Sequence, residues 1–373
     1  MKELLITAKS LGGGGSEVAL IELINALPEE LYNITLVLLD SDNEYAYRLK
    51  KNVNIVQLTF NSSFAKSLVS MYAFPAKVLK KLSVNSFIAY YDFISNCVTN
   101  VFEKTYDIAI DFYGYGSFVT AFLATKIQAK KKATWLHDEK PYWMKSVQKY
   151  LCEYDKIYGV SQAVVDAFCR EYPHYKDKAA VFYNVIDIEE IKRKSEQDEI
   201  IPFKESFNIV TVGRLTEQKG YDIAIKAASI LKKRKINFAW YAIGGGRDEK
   251  KLKKLVEKYC LENQFVFLGR KKNPYPYMKH CDLYVQPSRH EGYVITLVEA
   301  RALCLPILSS DIPSAREQIQ DGINGYVAEL SAEDLADKIE YLYNNPSQRK
   351  KTVEYLKEHP IDFSTELLKL EII

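Results

Sequence analysis

The chain has 373 residues, 47% of them hydrophobic and 27% charged, with a formal net charge of +3. That length exceeds one ordinary core and suits two domains. The composition excludes a disordered chain, and the nearly balanced charge excludes a strong nucleic-acid footprint. No apolar run is long enough to span a bilayer, and the first residues read as a strand, so a cytoplasmic protein is expected. Six cysteines without C-x-x-C spacing read as reduced thiols, not as a disulfide or zinc framework.

In chain order, residues 4–8 read as a buried strand, followed by the loop Gly12-Gly13-Gly14-Gly15-Ser16-Glu17 and a helix carrying Val18, Leu20, Ile21, Leu23, Ile24 and Leu27. Glycines without Cβ atoms, Gly14 and Gly15 among them, let backbone amides approach a ligand where the helix begins. The loop lacks the Gly-Lys-Ser/Thr ending of a P-loop, and Glu17 stands where G-x-G-x-x-G needs its third glycine. Asp40, after a second strand over 34–39, could mimic a ribose-binding acid, and Asp40-Ser41-Asp42 reads as a surface turn or as a metal-binding pair. A third strand fits 53–58. Over 61–104, aromatic residues such as Phe64, Tyr72 and Phe93 mix with Lys66, Lys77, Lys80 and Lys81. These are either amphipathic helices with aromatic cores or a basic aromatic surface that leans on a membrane or a lipid-linked substrate.

Strands over 106–111, 133–137, 156–161 and 179–184 alternate with helices over 117–128 and 162–172, which calls for a parallel, doubly wound sheet. His137 stands at the carboxyl end of its strand, where such sheets bind ligands, although a lone histidine is often only structural. The charged stretch 187–207 reads as a helix end and linker. A second set then begins: strands over 208–213, 236–243, 265–268, 282–286 and 305–309, with helices over 221–233, 248–260 and 332–343. The expected organisation is an α/β chain of two doubly wound, Rossmann-like domains, 1–187 and 208–355, a linker at 188–207, and a terminal helical segment at 356–373 that crosses back to the first domain. A ligand is expected in the cleft between the strand ends.

The segment Ser288 to Ala300 joins the 282–286 strand, a turn and a helix over 296–304 stopped by Pro306, with Glu291 and Glu299 on either side of the helix start. The unpaired amides and dipole of that helix end suit an anion. Thr296-Leu297-Val298-Glu299 also fits the Ser/Thr-x-x-Glu capping box, in which Glu299 serves only the helix backbone.

Taken together, these motifs resemble the retaining GT-B glycosyltransferases of the large family four. Glu291 and Glu299 match its E-x7-E signature, and Val212-Gly213-Arg214-Leu215-Thr216-Glu217-Gln218-Lys219-Gly220 looks like its G-R-L-x-x-x-K-G element. Ala242-Ile243-Gly244-Gly245-Gly246, Phe267-Leu268-Gly269, Asp321-Gly322-Ile323-Asn324-Gly325-Tyr326 and the first glycine loop match further landmarks. The resemblance implies that Arg214 and Lys219 neutralise a donor diphosphate, with Gly213, Gly244 and the amides of Gly292, Tyr293, Val294, Ile295 and Thr296 around it. Glu299 would accept from the ribose, Glu291 would contact the donor sugar, Gly14 and Gly15 would approach the diphosphate or acceptor, and His137 would lie beside the transferred sugar. Base recognition is expected near Arg270 to Pro276.

The resemblance also implies retention of anomeric configuration with neither metal nor cofactor. The donor is a nucleotide-sugar, with a UDP-sugar favoured, and the acceptor a glycan or polyprenyl-linked glycan for a surface polysaccharide, reached in one reading by peripheral contact with the inner membrane surface. The pair Val294-Ile295 departs from the small residues usual in the family and is expected to crowd the turn; Arg301 and Cys304 also replace small residues. A catalytically silent GT-B partner of an active transferase and a nucleotide-sugar epimerase are the alternatives. The missing dinucleotide fingerprint argues against an NAD-linked oxidoreductase.

Overall fold

The computed structural model describes residues 1–12, 14–62, 84–114, 117–197 and 203–371. The chain divides into two compact units, one formed by Met1–Ile186 with Phe363–Ile373 and the other by Asp187–Asp362.

The first unit is built on a sheet of seven strands: β1 (Lys2–Ala8), β2 (Tyr32–Leu38), β3 (Asn54–Gln57), β4 (Tyr106–Asp111), β5 (Ala129–Leu136), β6 (Lys156–Gly159) and β7 (Ala179–Val181). All adjacent pairs are parallel, in the order β3-β2-β1-β4-β5-β6-β7. Leu4 to Ala8 are all buried, the run expected of a strand covered on both faces. Helices Gly15–Ala26, Phe118–Lys126 and Gln162–Glu171 supply the crossovers. The last of these is capped by the Ser161 hydroxyl, which accepts from the Val164 N–H. Of the aromatic and basic stretch 61–104, residues 63–83 lie outside the described residues; beyond them Tyr91 is buried in the helix Val84–Asn96 and Phe93 is exposed.

The second unit has six parallel strands: β8 (Phe207–Val212), β9 (Phe238–Ile243), β10 (Phe265–Gly269), β11 (Leu283–Gln286), β12 (Ile307–Ser310) and β13 (Tyr326–Ala328), in the order β10-β9-β8-β11-β12-β13. One layer of core, on the side of the helices Tyr221–Lys233 and Ala332–Asn344, contains Trp240, Ile225 and Leu335. The other, on the side of the helix Ile295–Ala302, contains Tyr241, Tyr284 and Leu297.

Two boundaries differ from the sequence reading. The stretch 188–207 is not simply a linker: Ile188–Ser195 is a helix capped by Asp187, whose carboxylate accepts from the Glu190 N–H, and it belongs to the second unit. Its apolar positions are sparse because only one stripe, including Ile191, is buried. The helix Pro346–Glu358 runs through position 356, and the second unit extends to Asp362. The short helix Ser364–Leu368 packs in the first unit, where Glu366 accepts from the Tyr183 N–H at 2.9 Å and Lys369 donates to the Val181 carbonyl at 2.9 Å.

Candidate active site

Both sheets reverse their winding direction beside the first strand, between β1 and β4 in one unit and between β8 and β11 in the other. In doubly wound folds the carboxyl edge at such a reversal is where ligands bind, because the following loops separate there. In the second unit those loops carry Arg214 and Lys219 after β8, and Glu291 after β11.

Lys219 Nζ lies 2.5 Å from Glu291 Oε1, with the two side chains only 15% and 9% exposed. The Ser288 hydroxyl donates to the same oxygen at 2.7 Å, and Gln286 Nε2 donates to Ser288 at 2.7 Å. Gln286 Oε1 in turn accepts from Tyr284 and Thr296, so a buried polar chain leads from the strand to the carboxylate. Two further ties hold the loops together. Gln218 Nε2 donates to the His290 carbonyl at 3.0 Å, and Arg289 forms a bidentate pair with Asp222. The loops also touch through backbone: Gly220 has φ +67°, and a Cβ there would lie 1.8 Å from the Pro287 carbonyl oxygen.

On the other side of β8, Gly244 adopts φ +148°, and its Cα passes so near the Gly213 carbonyl that a Cβ would lie 1.9 Å from that oxygen. Gly213 itself rests on the methylene stem of Lys219, and Arg270 lies along Gly245. The Arg214 side chain is exposed and forms no hydrogen bond or ion pair among the described residues, which leaves its five donors for a ligand.

The helix Ile295–Ala302 starts at N-cap Val294 with no side-chain cap. The capping-box reading of Thr296 and Glu299 is therefore overturned. Thr296 already lies inside the helix and donates to Gln286 Oε1 at 2.8 Å, while Glu299 Oε1 accepts from the Tyr275 hydroxyl at 2.9 Å. Glu299 is 8% exposed, a buried carboxylate placed one turn beyond an uncapped helix start. Gly292 is buried, and Tyr293, Ile295 and Thr296 are partly so. Val294 does not crowd the turn as expected: at 1% exposure its side chain belongs to the core beside Leu297 and Tyr241, because the strand-to-helix turn points it inward. Burial lowers the pKa of Arg301, whose Nε has no hydrogen-bond partner among the described residues.

The remaining candidates lie in the first unit. Gly14 is the N-cap of its helix, and a Cβ there would come within 2.3 Å of Glu17 Oε2. The Glu17 carboxylate thus lies over that helix start and also accepts from the Ser16 hydroxyl. The space beyond Gly15 is open. His137, just past β5, has Nε2 at 2.6 Å from the Phe112 carbonyl, and burial pushes its pKa down to about 4. Sequence reasoning missed Asp111, Gln286, Ser288 and Ser314, and it covered Tyr275 only within the 270–276 stretch without its bond to Glu299. Ser314 donates to the Glu291 carbonyl; Asp111, Tyr275 and Ser314 act through partners distant in sequence, whereas Gln286 bonds Ser288 and Ser288 bonds Glu291 along the same loop.

Two parallel doubly wound sheets, one with paired acid and cation at its reversal point, define the GT-B class of two Rossmann-like domains. The solved structures agree with that fold. Anabaena HepE, crystallised with UDP and glucose, superimposes with a TM-score of 0.75 at 17% identity, covering 100% of this chain and 99% of that one. Residues 192–359 match the family described as Glycosyl transferases group 1. A glycosyltransferase of Methanocaldococcus jannaschii is 33% identical over 172 residues, which is 45% of this chain and 40% of that protein. The Campylobacter jejuni N-acetylgalactosamine-N,N'-diacetylbacillosaminyl-diphospho-undecaprenol 4-alpha-N-acetylgalactosaminyltransferase is 30% identical over 184 residues, 46% of this chain and 49% of that protein. The chain thus spans less than half the length of either relative.

Proposed function

We infer that the chain is a retaining, metal-independent glycosyltransferase that moves a sugar from a UDP-sugar to a glycan or polyprenyl-linked glycan. The observation that carries this reading is the buried Lys219–Glu291 pair beside an uncapped helix start, with Glu299 released from capping. One of the three N–H donors of Lys219 is used by Glu291, and the others, with the Arg214 guanidinium, suit the diphosphate. As the sugar C1–O bond to phosphate breaks, charge grows on the leaving oxygen, and these cations and the Thr296 amide at the helix start stabilise it. They supply the charge that a divalent ion would otherwise bring.

Glu299 accepts from the ribose hydroxyls, and Glu291, already fixed by Lys219 and Ser288, accepts from hydroxyls of the donor sugar. The acceptor hydroxyl attacks C1 on the face the phosphate leaves, and its proton passes to the departing phosphate oxygen. No dedicated protein base takes part. Supply of surface-polysaccharide glycans is the role that fits the glycan-transferring relatives.

The test is a metal-free thermal-shift series with UDP, GDP, ADP and CMP. A nucleotide at a hundred times its dissociation constant should stabilise the native state by about 2.7 kcal/mol. Stabilisation by UDP alone is expected. No shift with any nucleotide, in a folded protein, would overturn the reading in favour of a silent partner. The anomeric coupling in the NMR spectrum of the product then reports retention or inversion.

A further inference from the structure

The hydrogen bonds around Gln286, the last residue of β11, can run in one direction only, and Glu291 fixes that direction. The Glu291 carboxylate, paired with Lys219, accepts and cannot donate. Ser288 has a single hydroxyl proton, which it spends on Glu291 Oε1 at 2.7 Å, so toward its other neighbour it can only accept. That neighbour, 2.7 Å away, is therefore the NH2 of Gln286 and not its carbonyl. The amide is thereby oriented: Gln286 Oε1 faces the Tyr284 hydroxyl at 2.7 Å and the Thr296 hydroxyl at 2.8 Å, and both donate to it. Tyr284, Gln286 and Ser288 are all 0% exposed, so bulk water does not compete for these bonds.

Only a neutral group with a donor at one end and an acceptor at the other completes this chain. A carboxylate at position 286 would accept at both ends and compete with Glu291 for the Ser288 proton. An apolar side chain there would leave Ser288 and Thr296 without their shared partner.

We propose that Gln286 is a positioning residue for sugar transfer: its amide turns the Ser288 proton onto Glu291 Oε1, which commits that oxygen to Ser288 and Lys219 and presents Oε2 to the donor sugar. Through its carbonyl the same amide holds Thr296, which keeps the acid in register with the start of the helix Ile295–Ala302. Gln286 acts through Ser288 and Thr296 and touches no ligand. Its role in transfer rests on the transferase reading above, while the direction of the chain does not.

The first measurement needs no substrate: ¹H–¹⁵N NMR of glutamine-labelled full-length protein, with the Gln286 side-chain amide assigned by its absence in Gln286→Glu. A slowly exchanging amide proton is expected. Its signal should move in Ser288→Ala and also in Glu291→Gln, where the charge that directs the hydroxyl is gone. A Gln286 signal that ignores Glu291→Gln in the folded protein would overturn the proposal.

The second is UDP release from UDP-glucose, UDP-galactose and their N-acetyl forms, followed on the donor the wild type turns over fastest, from about pH 8 to about pH 6. In Gln286→Glu, burial and the neighbouring Glu291 raise the pKa of the new carboxyl. As pH falls it takes up a proton, donates to Ser288 and accepts from Tyr284 and Thr296, which restores the pattern of the amide. At the alkaline end kcat should be at least tenfold below wild type, with KM changing less, and the ratio of variant to wild type should rise as pH falls. Lys219, Tyr221, Tyr284 and Glu299, the other titratable groups near the chain, are common to both proteins and cancel in that ratio. The recovery should vanish in the double variant Gln286→Glu/Ser288→Ala, which a role in packing alone does not require. Ser288→Ala by itself should lower kcat without any such recovery, and it serves if Gln286→Glu does not fold. A ratio that stays flat with pH, or a recovery that survives the loss of Ser288, would overturn the proposal. If the wild type turns over none of these donors, the UDP-sugar reading fails, and the amide spectra still decide the direction of the chain.

Discussion

The Lys219–Glu291 pair allows stability and function to be separated in one experiment. Lys219→Met leaves the Glu291 carboxylate, 9% exposed, with the Ser288 hydroxyl but without its cation. Breaking a buried pair from one side costs about 3–5 kcal/mol, and the residual exposure here places the loss at about 3 kcal/mol. For a unit of this size that lowers the melting temperature by about 6–12 °C. Glu291→Gln strands the more flexible lysine, which can swing toward water, and should cost about 2 kcal/mol. The double variant buries no unpaired charge, so its cost should be about 2 kcal/mol instead of the additive 5, a coupling of about 3 kcal/mol. Urea unfolding followed by Trp240 fluorescence, in a background with Trp135 and Trp143 replaced by Phe, reports the second unit, since Trp240 is buried in its core. The double variant should regain stability yet gain none from UDP. Additive losses would refute the buried-pair argument, and a surviving UDP shift would refute the donor-site role of Lys219.

Other outcomes follow from the same geometry. Glu299→Gln should weaken UDP binding by about 10–100-fold in calorimetry while stability changes by less than about 1.5 kcal/mol, since the carboxylate serves the Tyr275 hydroxyl and not the helix end; a loss of helix stability typical of a missing cap would contradict this. Gly220→Ala should destabilise the second unit by about 1–3 kcal/mol, because φ +67° and the Pro287 carbonyl leave no room for a methyl. His137 has a folded pKa of about 4 against an ordinary 6.5, so the unfolded chain takes up the proton first. Its contribution to stability is full above pH 6.5 and is lost as pH falls toward 4; the wild type should therefore lose more stability over that window than His137→Gln, and parallel pH profiles would contradict the assignment.

Periodicity and punctuation made the layered fold legible. Parallel strands covered on both faces appear as unbroken apolar runs such as Leu4-Leu5-Ile6, and the helix Tyr221–Lys233 stands out by its repeating apolar face. Short elements were less visible: β13 has three residues, and the helix Ile188–Ser195 buries little beyond Ile191, so neither gives a window long enough for a period to emerge. The family motifs named Glu291, Glu299, Arg214 and Lys219 because those residue types at those spacings are written in the chain itself. Whether Glu299 caps a helix or faces a ligand was beyond local sequence, since Thr296-Leu297-Val298-Glu299 satisfies both patterns. Tertiary structure removed the cap reading by supplying other partners, Gln286 for Thr296 and Tyr275 for Glu299. The same holds for Asp111, an ordinary strand-end acid in the sequence that becomes a buried clasp only because β4 and β5 pair and bring Thr134 beside it. Sequence fixes what each element is through short-range sterics and burial patterns; which side chain serves which partner depends on strand order, and that exists only in the folded chain.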